Sequence, residues 1–211
     1  LRPSSVAVVG GTWDEPELDI LQRSNGPDVF FCGIEHTDSE KTFFLDLNES
    51  KSITVGPFDL VLCSQVLEHV RDVPRALLNL TRMVSPGGYL WTGFPYSNFP
   101  HGSPNYYAAG YAPIMIEELL RDRGFETVAS GIIGSSRIHL YTHFFRRWPT
   151  ESEYRHPLRS LDVADVGLAR ATLRFAKYLP QRMLATLFSS QPVSDEKVAT
   201  EAYVLARNDS D

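Results

Sequence analysis

The chain has 211 residues, 43% hydrophobic, 22% charged and 11% aromatic, with 14 glycines and 14 prolines, which reads as a single folded domain without fibrous or disordered bias. Its formal charge of -6 argues against nucleic acid as a main partner, because that binding rests on clustered Lys and Arg releasing counterions. No apolar run approaches the roughly 20 residues that cross a bilayer and no signal peptide opens the chain, so a soluble protein of the reducing cytoplasm is expected, while the start at Leu1 leaves an upstream segment open.

Short apolar runs alternate with helical patterns. Ser5 to Val9 is a buried-strand run that stops at Gly10-Gly11, and Glu15 to Ser24 is a helix carrying Leu18 and Leu21 on one face before Asn25-Gly26-Pro27 breaks it. Val29 to Ile34 is a second strand ending at Glu35, and Thr42 to Leu45 a third ending at Asp46. Phe58 to Cys63 is a fourth; after Asp72-Val73-Pro74 comes a helix with Ala76, Leu77, Leu80, Met83 and Val84 on one side, Asp72 being its N-cap. Cys32 and Cys63 each sit inside an apolar run, where a free thiol packs as a small hydrophobe.

Ser85-Pro86-Gly87-Gly88 has the composition of a tight turn, and Tyr89 to Phe94 is the fifth strand. Ile114 to Asp122 is a helix closed near Gly124, Phe125 to Ile133 a sixth strand, and Ala202 to Ala206 a last one. Such alternation implies a mostly parallel sheet covered on both faces, with ligands bound outside the carboxyl ends of its strands. Residues 134–195 break the rhythm with Pro149, Pro157, Pro180 and Pro192, and are expected to form a helical insertion before the last strand. Within it, Arg170, Arg174 and Lys177 recur opposite Leu168, Leu173 and Ala176; the stripe reads either as a solvated helix face or as a lid or dock for an anionic group.

The most specific segment is Phe58-Asp59-Leu60-Val61-Leu62-Cys63-Ser64-Gln65-Val66-Leu67-Glu68-His69-Val70, followed by a helix and then Pro86-Gly87-Gly88. It resembles the fourth strand and following turn of the class I methyltransferases that use S-adenosylmethionine, those acting on small molecules in particular. The likeness covers about residues 1–133 and resumes at the last strand. It implies an α/β, Rossmann-like, doubly wound and mostly parallel seven-stranded sheet with an antiparallel last strand, in one domain over 1–211 with 134–195 inserted between strands six and seven.

The resemblance also implies roles. Glu35 closes strand two where a carboxylate accepts both ribose hydroxyls of a nucleoside. Asp46 stands where the family accepts the adenine amino group, with the backbone of Leu47 meeting the ring, and Gly10 and Gly11 form what remains of the glycine loop. Ser64 and Gln65 leave strand four beside the methionine end. His69 and His101 are candidate general bases for a hydroxyl acceptor, since imidazole titrates near neutrality. The aromatic loop after strand five offers Tyr96, His101, Tyr106 and Tyr107 as a substrate wall, with Asn105 and Ala108 replacing an acid and an arginine of relatives. The spacing of Cys and His suggests no metal site.

The glycine loop departs from the family's acid and G-x-G-x-G: with Gly10 as the first glycine, Val8 takes the place of the acid, Thr12 of the second glycine and Asp14 of the third, whereas with Gly11 as the second glycine Val9 takes the first. Trp13 is expected to crowd the cofactor's path unless it turns away or stacks along one side. The expected activity is methyl transfer from S-adenosylmethionine to oxygen or nitrogen of a small molecule such as a sugar or natural-product intermediate. Two rivals stay open: a methyltransferase-like binding module that has lost catalysis, and an NAD-dependent oxidoreductase using Gly10-Gly11. Homo-oligomer formation is likewise left open.

Overall fold

Valine, phenylalanine and leucine dominate the strand runs, and the strands over residues 5–9, 28–33 and 58–64 are buried along most of their length, as expected for the middle of a sheet with cover on both sides. The computed structural model describes residues 2–11, 18, 26–35, 39–49, 55–98, 104–133 and 201–209. The chain divides into two units, Leu1–Tyr96 with Pro100–Ile132 and Glu201–Asp211, and Ser97–Phe99 with Ile133–Thr200; the sheet and the cleft described below are built from the first.

The strands are β1 (Ser5–Val9), β2 (Asp28–Gly33), β3 (Thr42–Phe44), β4 (Phe58–Ser64), β5 (Val84–Pro95), β6 (Phe125–Ile133) and β7 (Glu201–Asn208), with helices α1 (Val73–Thr81) and α2 (Pro113–Arg121). They form one seven-stranded sheet in the order β3-β2-β1-β4-β5-β7-β6. The first five strands pair in parallel, and β7 pairs antiparallel with β5. The chain runs outward from β1 to β3, then returns to the other side of β1 to lay down β4. The carboxyl ends of β1 and β4 therefore diverge at a switch point, where open α/β sheets hold ligands.

Side chains of β1 alternate between two cores. Ala7 and Val9 face a core shared with Leu77 and Leu80 of α1 and Ile116 and Leu120 of α2, while Val6 and Val8 face a second core that contains Leu18. Leu18 is helical and 1% exposed; the rest of the helix expected over Glu15 to Ser24, and the insertion expected over 134–195, lie outside the described residues. Val9 pairs with Cys32 on β2 and with Cys63 on β4, so both thiols are core residues. Burial pushes the Cys32 thiol up to about 12 and raises that of Cys63 as well.

Two boundaries differ from the sequence reading. The apolar face expected to carry the helix after Asp72-Val73-Pro74 through Val84 ends earlier, since α1 stops at Thr81 and Val84 opens β5 by pairing with Phe58. Ser85-Pro86-Gly87-Gly88 consequently lies inside β5 as a bulge, between the pairs Phe58↔Val84 and Leu60↔Tyr89, instead of forming a turn ahead of the strand. At the start of α1, Asp72 accepts a hydrogen bond from the Arg75 amide at 3.0 Å with Pro74 in the first turn, as the capping pattern predicts.

Candidate functional site

A cleft of about 660 Å³ opens at the carboxyl ends of β1 to β4. Its floor is Gly10 and Gly11, where the chain leaves β1. Gly10 has φ +74°, and a Cβ there would meet Val66 Cγ2 at 2.5 Å, so both the conformation and the close approach call for glycine. One wall carries Glu35, exposed just beyond β2, and the other Asp46 and Leu47, just beyond β3. Because β2 and β3 are adjacent parallel strands, two carboxylates placed at their ends necessarily come to the same side of the sheet.

The turn after β4 supplies the far side. Gln65 adopts φ 54°, a left-handed conformation that costs a non-glycine residue energy, while its amide donates to Gly93 O at 2.8 Å. The strain turns the chain abruptly off the sheet, so the next residues, a short 3-10 turn over Leu67–His69, reach the cleft. The loop after β5 docks on this turn through Tyr107 N–H to Glu68 O (2.8 Å) and Tyr111 Oη–H to Leu67 O (3.2 Å). Gly110 makes that seat, since a Cβ there would collide with the Tyr96 carbonyl oxygen.

His69 joins both pieces. Its Nδ1 lies 2.6 Å from the Asn105 carbonyl oxygen, and as a carbonyl only accepts, Nδ1 carries the hydrogen and the neutral ring keeps its lone pair on Nε2. That Nε2 is 3.9 Å from Oε1 of Glu68, which is fully buried. The Tyr106 ring meets His69 edge-on at 6.1 Å. Burial, and then the Glu68 charge, hold the Tyr106 and Tyr111 phenols above their ordinary value, so both remain protonated donors at neutral pH.

Residues 21–90, which include the strand-end carboxylates and the turn after β4, match the family described as a methyltransferase domain. The chain is also similar to the solved structure of 1,6-didemethyltoxoflavin-N1-methyltransferase from Burkholderia thailandensis, which has 1,6-didemethyltoxoflavin and S-adenosylhomocysteine bound, at 13% identity and TM-score 0.51, covering 99% of this chain and 72% of that one. The chain shares the fold of this methyltransferase. Coclaurine N-methyltransferase bound to N-methylheliamine and S-adenosylhomocysteine is similar at 12% identity and TM-score 0.53, covering 98% of this chain and 67% of that one. The [4+2]-cyclase SpnF is similar at 18% identity and TM-score 0.50, covering 97% and 74%. No curated protein sequence matches the chain.

Within this methyltransferase fold, the cleft brings together Gly10, Gly11, Glu35, Asp46, Leu47, Gln65, His69 and Tyr107 of the residues singled out in the sequence. Ser64, Tyr96 and Tyr106 stand outside its lining: Ser64 ends β4 beside Gly93, Tyr96 packs on the core, and Tyr106 backs His69. His101 and Trp13 lie outside the described residues. The sequence reading missed Ile34, Asn48, Val66 and Arg71, which also line the cleft. Asn48 had a signal, since an Asp-x-Asn sequence at a strand end favours an Asx turn. Arg71 had none. Among the described residues no helix is long and apolar enough to cross a membrane.

Proposed function

We propose that the cleft binds S-adenosylmethionine and that the protein transfers its methyl group to oxygen or nitrogen of a small molecule. The observation that carries this reading is the pair of carboxylates, Glu35 and Asp46, at neighbouring strand ends over the bare backbone of Gly10 and Gly11. The donor set fits a nucleoside. Glu35 accepts hydrogen bonds from ribose hydroxyls, Asp46 accepts from an exocyclic amino group, and the Leu47 backbone lies beside the base. Glycine at position 10 lets the ligand run close to the main chain. When bound, S-adenosylmethionine supplies a methyl group activated on a sulfonium.

The protein's own work is then alignment, exclusion of water and removal of one proton. His69 is the base in this reading. Its Nδ1–H is committed to the Asn105 carbonyl, so Nε2 is the atom that takes a proton from a hydroxyl or amine, with the Glu68 carboxylate 3.9 Å away. Tyr107, half exposed on the cleft rim, offers an aromatic face to the acceptor. Tyr106 supports this base from outside the cleft lining, its ring edge-on to His69.

A second reading, a binding module of the same fold without methyl transfer, is favoured by one feature. Val8 is 2% exposed within the second core, at a position where the family resemblance implies an acid, so among the described residues β1 brings no carboxylate to the methionine end of the cleft. The similarity to a protein named as a cyclase also supports separating fold from reaction.

Calorimetric titration with S-adenosylhomocysteine, S-adenosylmethionine and NAD tests both readings. Saturable binding of the two sulfur nucleosides, with none by NAD, is expected. Binding of NAD alone, or of no nucleoside, overturns the proposal; binding without consumption of S-adenosylmethionine by any class of acceptor favours the second reading.

A further inference from the structure

Asn79 on α1 is 1% exposed and lies outside the cleft lining, yet its amide reaches across to the turn that follows β3. Nδ2 donates to the carbonyl oxygens of Leu47 (3.1 Å) and Glu49 (3.0 Å). Both neighbours are acceptors, so the nitrogen must be the atom that faces them. Asn79 Oδ1 is buried and has no hydrogen-bond partner among the described residues. An apolar side chain of the same shape would strand no Oδ1 but would take the donor away from the Leu47 and Glu49 carbonyls, so what asparagine provides here is the hold on the turn. Core packing alone therefore does not account for asparagine at this position.

The two carbonyls that Asn79 holds bracket Asn48. The Asn48 amide N–H and Nδ2 both donate to Asp46 Oδ1, at 2.9 and 3.2 Å. Asn48 Oδ1 in turn accepts from the Arg71 amide at 2.9 Å. The turn is thus clamped at both ends to the segment around α1, and Asp46 Oδ1 is committed to the clamp. Oδ2 remains the oxygen with which Asp46 can accept a hydrogen bond from a ligand.

We infer that Asn79 is a positioning residue which, through Asn48, fixes the Asp46 carboxylate at the cleft and so makes the site select a purine bearing an exocyclic amino group over its keto counterpart. The inference rests on the nucleoside reading above. Rigidity of the turn matters because a carboxylate already held in place spends no ordering entropy when the ligand arrives. The keto analogue, having no hydrogen to donate there, leaves two acceptors facing each other.

Titrating the full chain with S-adenosylhomocysteine and with its 6-oxo analogue, S-inosylhomocysteine, tests this in wild type, Asn79→Leu, Asp46→Ala and the double variant. Wild type is expected to favour the amino form. Asn79→Leu is expected to lose about tenfold in affinity for the amino form, as for a lost hydrogen bond to a charged group, and most of its preference. In the Asp46→Ala background the same substitution should have no further effect, because its influence runs through that carboxylate. Losses that simply add in the double variant mark a merely structural role and overturn the inference, as does unchanged affinity. Should Asn79→Leu not fold, Asn48→Ala is expected to lose the same preference, and unchanged selectivity there overturns the inference. Wild-type protein that binds neither nucleoside overturns the nucleoside reading and this inference with it, whereas wild-type binding whose affinity and amino-form preference are unchanged in Asn79→Leu overturns the inference alone.

Discussion

Glu35 stands exposed at the end of β2, and its value as a hydrogen-bond acceptor depends only on where the strand delivers it. Glu35→Ala should leave the fold intact and weaken S-adenosylhomocysteine by about 1 to 3 kcal/mol in calorimetry, the range for a lost hydrogen bond to a charged group. Unchanged affinity would remove it from the site. Asp59 illustrates a carboxylate with a different duty. It accepts from the Ser4 and Ser5 amides (2.8 and 3.2 Å) and from the Ser4 hydroxyl, tying the start of β1 to β4, and these bonds hold its carboxyl below the ordinary 3.8. A depressed folded-state value contributes stability that is present above the unfolded value and lost as pH falls through the folded one. Urea unfolding between neutral pH and the acid range should therefore show stability falling as Asp59 protonates, and Asp59→Asn should flatten that part of the curve. A variant with the same acid dependence as wild type would contradict the assignment.

At the scale of elements, α1 depends on its first turn. The Asp72 cap satisfies one of the amides that a helix start leaves open, and Asp72→Ala should cost about 1 kcal/mol of unfolding free energy. Loss of less than a few tenths would show that Pro74 and the apolar face suffice without it. The cap and the strands were legible in the sequence because each rests on local pattern: a side chain three residues from its amide partner, or an apolar run that must be buried on both faces. The Pro86-Gly87-Gly88 bulge was not, since its composition is equally that of a turn. Only pairing of Val84 with Phe58 on another strand shows that β5 has already begun. The end of α1 was misplaced for a related reason, because Met83 and Val84 keep the core-facing character of the helix after it has ended at Thr81.

Across the whole molecule, strand order turns scattered residues into one cleft. Gly10, Glu35, Asp46 and His69 belong to four separate connections, and they converge because β1 to β4 are parallel neighbours whose carboxyl ends share an edge of the sheet. That convergence follows from the alternation of strands and helices, which is why the strand-end carboxylates could be named from sequence. Arg71 and Asn79 could not, because their roles arise from the packing of the turn after β3 against the segment around α1, a contact that no local pattern announces. The central claim is that a nucleoside lies across this edge, gripped by two acidic side chains. A crystal structure of the protein with S-adenosylhomocysteine tests it most directly. The account predicts density for the ribose against Glu35 and for the purine amino group against Asp46; ligand density elsewhere, with the cleft between those carboxylates empty, would contradict it.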